Sequence, residues 1–167
     1  MADGHRIIVA GSRTFTDYKY FREVIIDVLK KINYNIDVFI TGRALDGPDD
    51  MIYHFCRWDH KFDYVEKKAN WKKYGNAAGM LRNIEMAEIA TGLVAFWDGK
   101  SKGTKQMIDE ANKRGLEVLV VMFDADEAGR EAALRSLREL AIHDVPAAVV
   151  PLPEGRDPAD LVALGET

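Results

Sequence analysis

The sequence predicts an α/β fold: a three-layer, Rossmann-like, mostly parallel sheet in a single integrated domain. Two observations predict it. Short β-rich apolar runs alternate with stretches of helical period, the pattern of βαβ units whose sheet is covered on both faces. A chain of 167 residues with 47% apolar content also suits one domain, or one domain with an appendage, and can bury a real core.

The elements follow in order. Ile7 to Ala10 is the first strand, and Asp17 then caps a helix whose apolar positions Phe21, Val24, Ile25, Val28, Leu29 and Ile32 recur at intervals of three and four. Val38 to Ile40, Tyr64 to Val65, Leu93 to Phe96, Val118 to Phe123 and Val145 to Val150 supply the remaining strands. Helical stripes are expected at Leu81, Ile84 and Ala87, at Thr104, Met107, Ile108 and Ala111, and at Ala133, Leu134, Leu137, Leu140 and Ala141. Gly115 closes the second of these where a C-terminal glycine belongs. Asp157-Pro158 starts a short terminal helix, with a capping side chain before a first-turn proline.

Composition narrows the function classes. A net charge of -4 gives no global attraction to nucleic acid, so phosphate binding must come from a local set of donors. Nucleic acid is therefore a less favoured partner than a small nucleotide, and a homo-oligomer is left open. The single Cys56 excludes an internal disulfide, and the strand-like Arg6-Ile7-Ile8-Val9-Ala10 is too short for a secretory or spanning segment. A cytoplasmic protein with no membrane partner is expected. Every aromatic residue and all twelve lysines lie in residues 1–123, with no Pro/Gly/Ser linker at the change of character. Two beads on a string are thus not expected.

Candidate sites gather at strand ends. Gly11-Ser12-Arg13 follows the first strand, where glycine lets backbone amides approach an anion, although any tight turn uses the same residues. After the fourth strand, Asp98-Gly99-Lys100-Ser101-Lys102-Gly103-Thr104 joins a glycine turn with two lysines to a helix start, so several amides could face one phosphate. It lacks the earlier glycine of a P-loop, which excludes an ordinary NTPase. Asn70 to Asn83 interleaves Trp71 and Tyr74 with Lys72, Lys73 and Arg82; a base could stack there, or the aromatics could simply anchor a loop. Asp124 and Asp126 stand two apart at a strand end, suited either to a shared Mg2+ or to helix capping. His54, Cys56 and His60 have no second ligand pair and read as structural.

Two resemblances rest on these residues. Gly11-Ser12-Arg13, Gly42 with Asp49, Trp71 with Tyr74-Gly75, Ala78-Gly79, Arg82-Asn83 with Met86, and Trp97-Asp98-Gly99-Lys100-Ser101 with Gly103-Thr104 resemble the YspA-type branch of the SLOG superfamily over about residues 5–122. That resemblance implies a Rossmann-like sheet and a nucleotide-derived ligand. It places Gly11, Ser12 and Arg13 in a first phosphate loop, with Gly42, Arg82 and Asn83 at the ligand and Asp98 to Thr104 in a second loop. Related phosphoribohydrolases carry a glutamate shortly after the Gly-Thr pair. Thr104 is followed instead by Lys105-Gln106-Met107, so binding is implied and catalytic residues stay unassigned, and the glycine loop from Gly42 to Asp49 contains Pro48, which the branch does not usually show.

Asp124-Ala125-Asp126-Glu127-Ala128-Gly129-Arg130 and Leu152 to Leu161 resemble the C-terminal portion of a primase Toprim domain over about residues 118–165. This implies Mg2+ at Asp124 and Asp126, with Asp98 replacing a glutamate that Toprim enzymes carry on an earlier strand. The expected organisation is a SLOG-like region at 1–122 and a Toprim-like fragment at 123–167 that completes the same sheet. Three functions follow. Nucleotide-derivative binding leads, with Mg-dependent nucleic-acid phosphotransfer and an inactive structural chimera as alternatives.

Overall fold

The computed structural model describes residues 3–123 and the backbone of 147–151. Its strands are β1 (His5–Gly11), β2 (Ile36–Thr41), β3 (Tyr64–Glu66), β4 (Gly92–Trp97), β5 (Glu117–Met122) and β6 (Ala147–Pro151). The helices are α1 (Tyr18–Lys31), α2 (Pro48–His54), the single turn α3 (Trp71–Tyr74), α4 (Ala78–Ile89) and α5 (Lys102–Lys113). The strands form one six-stranded sheet in the order β3-β2-β1-β4-β5-β6. Every pairing is parallel. The expected helical stripe at 133–141 and the terminal helix at 157–160 lie outside the described residues.

Strand alternation explains the two cores. Ile8, Ala10, Leu93, Ala95, Val118, Val120 and Met122 face α4 and α5, packing with Met86, Ala87, Met107, Ile108 and Ala111. Their neighbours Ile7, Val9, Val94, Phe96 and Val121 face the other way, packing with Phe21, Ile25, Leu29, Ile52 and Phe55 of the α1–α2 layer. A side-chain period of two on strands buried on both sides gives near-continuous apolar runs, as the sequence shows. All six residues of β4 are buried, so it is the spine of the sheet.

Helix signals hold with one revision. Asp17 caps α1, its Oδ1 accepting the Tyr20 amide at 3.0 Å. Gly115 takes φ +71 after α5, and Thr104, Met107, Ile108 and Ala111 form the buried face of that helix. On α4, however, the buried positions are Ala78, Asn83, Met86 and Ala87; Leu81 and Ile84 are only half-buried. Asn83, on the buried face, donates from Nδ2 to Gln106 Oε1 at 2.6 Å and so ties α4 to α5 through a part-buried polar contact.

Chain order fixes where a ligand can sit. From β1 the chain runs outward through β2 and β3, then crosses back to β4 beside β1 and continues outward through β5 to β6. The loops after β1 and β4 therefore diverge to opposite sides of the switch point and open a crevice at the carboxyl ends of the strands.

Phe96 is fully buried in this frame, with its ring centroid 4.9 Å from that of Phe15 and 5.1 Å from that of Phe21. Phe96→Ala is expected to lower unfolding free energy by about 3–5 kcal/mol in urea denaturation. Trp58→Ala, at a side chain 68% exposed, should stay within about 0.5 kcal/mol.

Candidate functional site

The loops after β1 and β4 are joined to each other. Ser12 donates its amide to Phe96 O at 2.8 Å, and Asp98 donates its amide to Ser12 Oγ at 3.2 Å. Gly11 allows this closeness: a Cβ there would lie 2.5 Å from both Phe96 O and Pro48 Cγ. Pro48, an unexpected residue in this loop by the SLOG pattern, is thus packed directly against the first glycine turn.

Above these loops lies a cleft of about 560 Å³. Gly11, Ser12, Arg13, Arg82, Asn83, Asp98, Ser101, Gly103 and Thr104 all line it, so most of the residues expected at a ligand meet there. Gly42, Gly99 and Lys100 are not among its lining residues, and each has a local role instead. Gly42 makes room for Arg82, whose guanidinium would be 2.9 Å from a Cβ at that position and whose Nη1 donates to Gly42 O at 3.3 Å. Gly99 turns the chain at φ +81. The amide of Lys100 is engaged inside its own loop, as the Asp98 contacts show.

Asp98 organises the second loop. Its Oδ1 accepts the amides of Lys100 and Ser101, both at 2.8 Å. Burial pushes the Asp98 carboxyl up, but the amides of Ser101 and Lys100 and the Ser12 hydroxyl outweigh it and hold the group below the usual carboxylate range. These two amides are therefore committed within the loop rather than aimed at a ligand. Ser101 caps α5 through Oγ to the Thr104 amide, and Trp97 Nε1 donates to Ser101 O at 3.0 Å, fixing the loop from below. Lys102 and Gly103, in the first turn of α5, line the cleft, and amides at a helix start have no intrahelical partner.

Arg13, Arg82 and Lys102 supply the positive charge of the lining. Burial lowers the proton affinity of Arg82, Asp49 opposes that shift, and Arg13 adds to it. Arg82 nevertheless remains a cation at neutral pH. It donates from Nε to Asn83 Oδ1 at 3.3 Å, and neither Arg82 nor Arg13 forms an ion pair among the described residues. Trp71, 55% exposed, also lines the cleft, its Cη2 coming within 3.3 Å of a Cβ built on Gly79. Gly79, Arg82 and Asn83 share one face of α4 by helical spacing, so the indole and the guanidinium lie about one turn apart.

Asp49, which the SLOG resemblance groups with Gly42 without giving it a role, is 5% exposed and lines the cleft, its carboxylate accepting the amides of Ala44 and Gly11. Asn76 and Gln106 were likewise not singled out as lining residues. No local signal marks them, since each acquires its place from the approach of separate loops.

Metal candidates fare unevenly. Asp124 and Asp126 lie outside the described residues. Trp97 pairs with Met122, which sets the end of β4 beside the end of β5. Asp98 has Oδ1 engaged and offers Oδ2, with a long 3.5 Å contact from Thr14 Oγ1. Among the described residues no group of three or more His, Cys, Asp or Glu side chains could hold a metal ion, so these residues alone do not fit Mg2+. His54 bonds Asp50 at 3.2 Å, His60 lies by Asp59 and Arg22, and burial pushes the Cys56 thiol up to about 12. These three are structural.

The Asp98 shift sets a pH dependence. With its folded value below that of the unfolded chain, ionised Asp98 stabilises the fold at neutral pH, and the contribution disappears as pH falls through the folded value. Asp98→Asn is expected to reduce stability near about pH 7 and to flatten the acid limb below about pH 4, measured by urea denaturation across pH.

Comparison with known proteins agrees with part of this picture. Residues 83–162 match a family described as Toprim-like. The match starts on α4, well before residue 118, and takes in β4, α5, β5 and residues 124–126. The nicotinamidase SaPncA from Staphylococcus aureus is similar at 15% identity and a TM-score of 0.46, over 87% of this chain and 99% of that one; this likeness carries no functional weight. Among the described residues no helix is long and apolar enough to cross a membrane. The Gene 61 protein of Mycobacterium phage D29 is 32% identical over 120 residues, spanning 68% of this chain and 94% of the phage protein. The chain belongs to the family of that Gene 61 protein.

Proposed function

We propose that the cleft binds a nucleotide or nucleotide-derived ligand at the carboxyl edge of the parallel sheet. The observation that carries this reading is the pair Arg13 and Arg82: two guanidiniums line one cleft without an ion-pair partner among the described residues. A phosphate there gains charge-assisted hydrogen bonds from the guanidiniums, with the first-turn amides of α5 beside it. Trp71 of α3, whose ring lies against Gly79 about one turn from Arg82 on α4, offers a face on which a base can stack. The surrounding segment is suited to an anion, because residues 67–83 hold Lys67, Lys68, Lys72, Lys73 and Arg82 and no acid, in a chain whose net charge is -4. The SLOG resemblance supports the same ligand class, and the single Cys56 fits a reducing cytoplasm.

Binding is the proposed activity, and no catalytic residue is assigned. Ser12 and Ser101 use their hydroxyls to brace loops, and neither has a histidine partner among its hydrogen bonds. The Mg-dependent phosphotransfer reading needs Asp98 to act with Asp124 and Asp126, and the single open oxygen of Asp98 is its present support. The domain proposal is a SLOG-like region at 1–122 with a Toprim-like fragment at 123–167, joined by fusion or engineered recombination. It draws support from β6, which pairs with β5 in the same sheet.

Two tests follow. In a thermal-shift panel, nucleoside phosphates are expected to raise the melting temperature equally with Mg2+ and with chelator. Arg82→Met should weaken binding by about tenfold to hundredfold, the scale of a lost charged hydrogen bond, and Trp71→Ala by about 1–3 kcal/mol. A shift that needs Mg2+ and vanishes in Asp124→Ala would favour phosphotransfer instead. For the domain proposal, limited proteolysis should degrade the whole chain within one unfolding transition; early loss of residues 124–167 from an otherwise unchanged core would contradict a shared sheet.

A further inference from the structure

The cations that hold the proposed anion already have a second task. Asp49 is a buried carboxylate at the start of α2, and it lines the same cleft. Its oxygens accept the amide of Gly11 from the end of β1 and that of Ala44 from the loop before α2. Both neighbours are donors, which suits an ionised carboxylate better than a protonated one. The charges acting on it come from Arg82 on α4 and Arg13 on the loop after β1, through space rather than by contact.

The other polar groups nearby are committed elsewhere. Thr41 Oγ1 donates to the backbone O of Asp49 at 2.7 Å, not to its side chain. Asp50, next in sequence, is paired with Arg43 and with His54. Asp98, the other carboxylate lining the cleft, is held by its own loop amides. Among the described residues no histidine lines the cleft. The buried charge of Asp49 is therefore offset first by Arg82, then by the amides of Ala44 and Gly11, and last by Arg13; Lys102 is a further cation on the lining, and the two guanidiniums are the groups an incoming phosphate would occupy.

An anion bound at those guanidiniums cancels much of their field at Asp49 and adds negative charge within the same low-dielectric space. Burial already pushes the Asp49 carboxyl upward, and Arg82 and Arg13 are part of what opposes it. We infer that capture of an anion by Arg13 and Arg82 is coupled to uptake of one proton from solvent by the Asp49 carboxyl. This rests on the nucleotide reading only insofar as that reading puts an anion on the two guanidiniums. Asp49 then acts as a charge regulator of the site: the carboxylate compensates the arginines while the cleft is empty, and protonation removes its repulsion when the cleft is filled.

Linkage gives the sign. If the complex binds more protons than the free protein, affinity falls as pH rises, by up to about tenfold per pH unit at full coupling. Sulfate is the chosen probe, because its own charge is constant across the range. Calorimetric titration of the full chain from about pH 6 to about pH 9, in paired buffers of different ionisation heat, is expected to show buffer-dependent heats equivalent to as much as one proton absorbed. Asp49→Asn should bind sulfate with no pH slope and, at the alkaline end, more tightly than wild type. Should that variant fail to fold, the paired-buffer titration of wild type decides the matter by itself. Sulfate binding with heats independent of buffer and affinity independent of pH overturns the coupling and leaves the anion site standing. Absence of binding by both sulfate and AMP overturns the nucleotide reading and the coupling together.

Discussion

The parallel pairing of β1 with β4 at the centre of the sheet is the contact on which the rest of the molecule depends. It sets Gly11 opposite Phe96, and the ladder continues past the strands as Ser12 donates to Phe96 O at 2.8 Å. Two loops more than eighty residues apart in sequence are thereby held in one geometry, with Asp98 bonded back to Ser12. The closeness depends on the missing side chain at Gly11, between the Phe96 carbonyl and Pro48. Because β4 is buried on both faces, the position of the cleft is fixed by the core and not by the loops themselves.

From that junction the electrostatics follow. Backbone amides at the second loop are turned inward by Asp98, which makes the loop rigid but removes two donors that a glycine-lysine-serine turn would be expected to offer. Positive charge is concentrated on side chains instead: Arg82, held by Gly42 O and Asn83 Oδ1, with Arg13 and Lys102 also on the lining. A guanidinium held by neutral acceptors keeps its full charge available, whereas one in an ion pair does not. Gly42 and Asn83 thus contribute by aiming Arg82, although Gly42 does not itself line the cleft.

Much of the fold was legible because its signals are local. All six strands appear as short apolar runs, and the caps at Asp17 and Gly115 mark helix ends by chemistry confined to a few residues. Convergence of the two glycine loops followed from strand order, which βαβ reasoning supplies. What stayed hidden depends on how distant segments close on one another. The buried face of α4 contains Asn83, a polar residue whose burial is satisfied by Arg82, Gly103 and Gln106, the last two on α5, so hydrophobic period alone chose the wrong stripe. Asp49 has no role assigned by the SLOG resemblance, and its place depends on the amides of Gly11 and Ala44 arriving beside it. Pro48 read as a departure from the SLOG pattern, and it proves to be the wall against which Gly11 packs.

The boundary between the two resemblances bears directly on how function can be divided. The Toprim-like match begins at residue 83, immediately after Arg82, and includes Asp98 and the start of α5. Gly11, Ser12, Arg13, Asp49, Trp71 and Arg82 lie before it, while Asn83, Asp98, Ser101, Gly103 and Thr104 lie within it, and all of them line one cleft. Neither portion holds the whole cleft lining: the first contributes the guanidiniums and the buried carboxylate, and the second contributes the helix start and the carboxylate that locks its loop. A join between ancestral pieces anywhere on α4 would therefore have had to preserve the face carrying Gly79, Arg82 and Asn83. Helical register across residues 79–83, more than any sequence motif on either side, is the constraint that keeps the two halves working as one site.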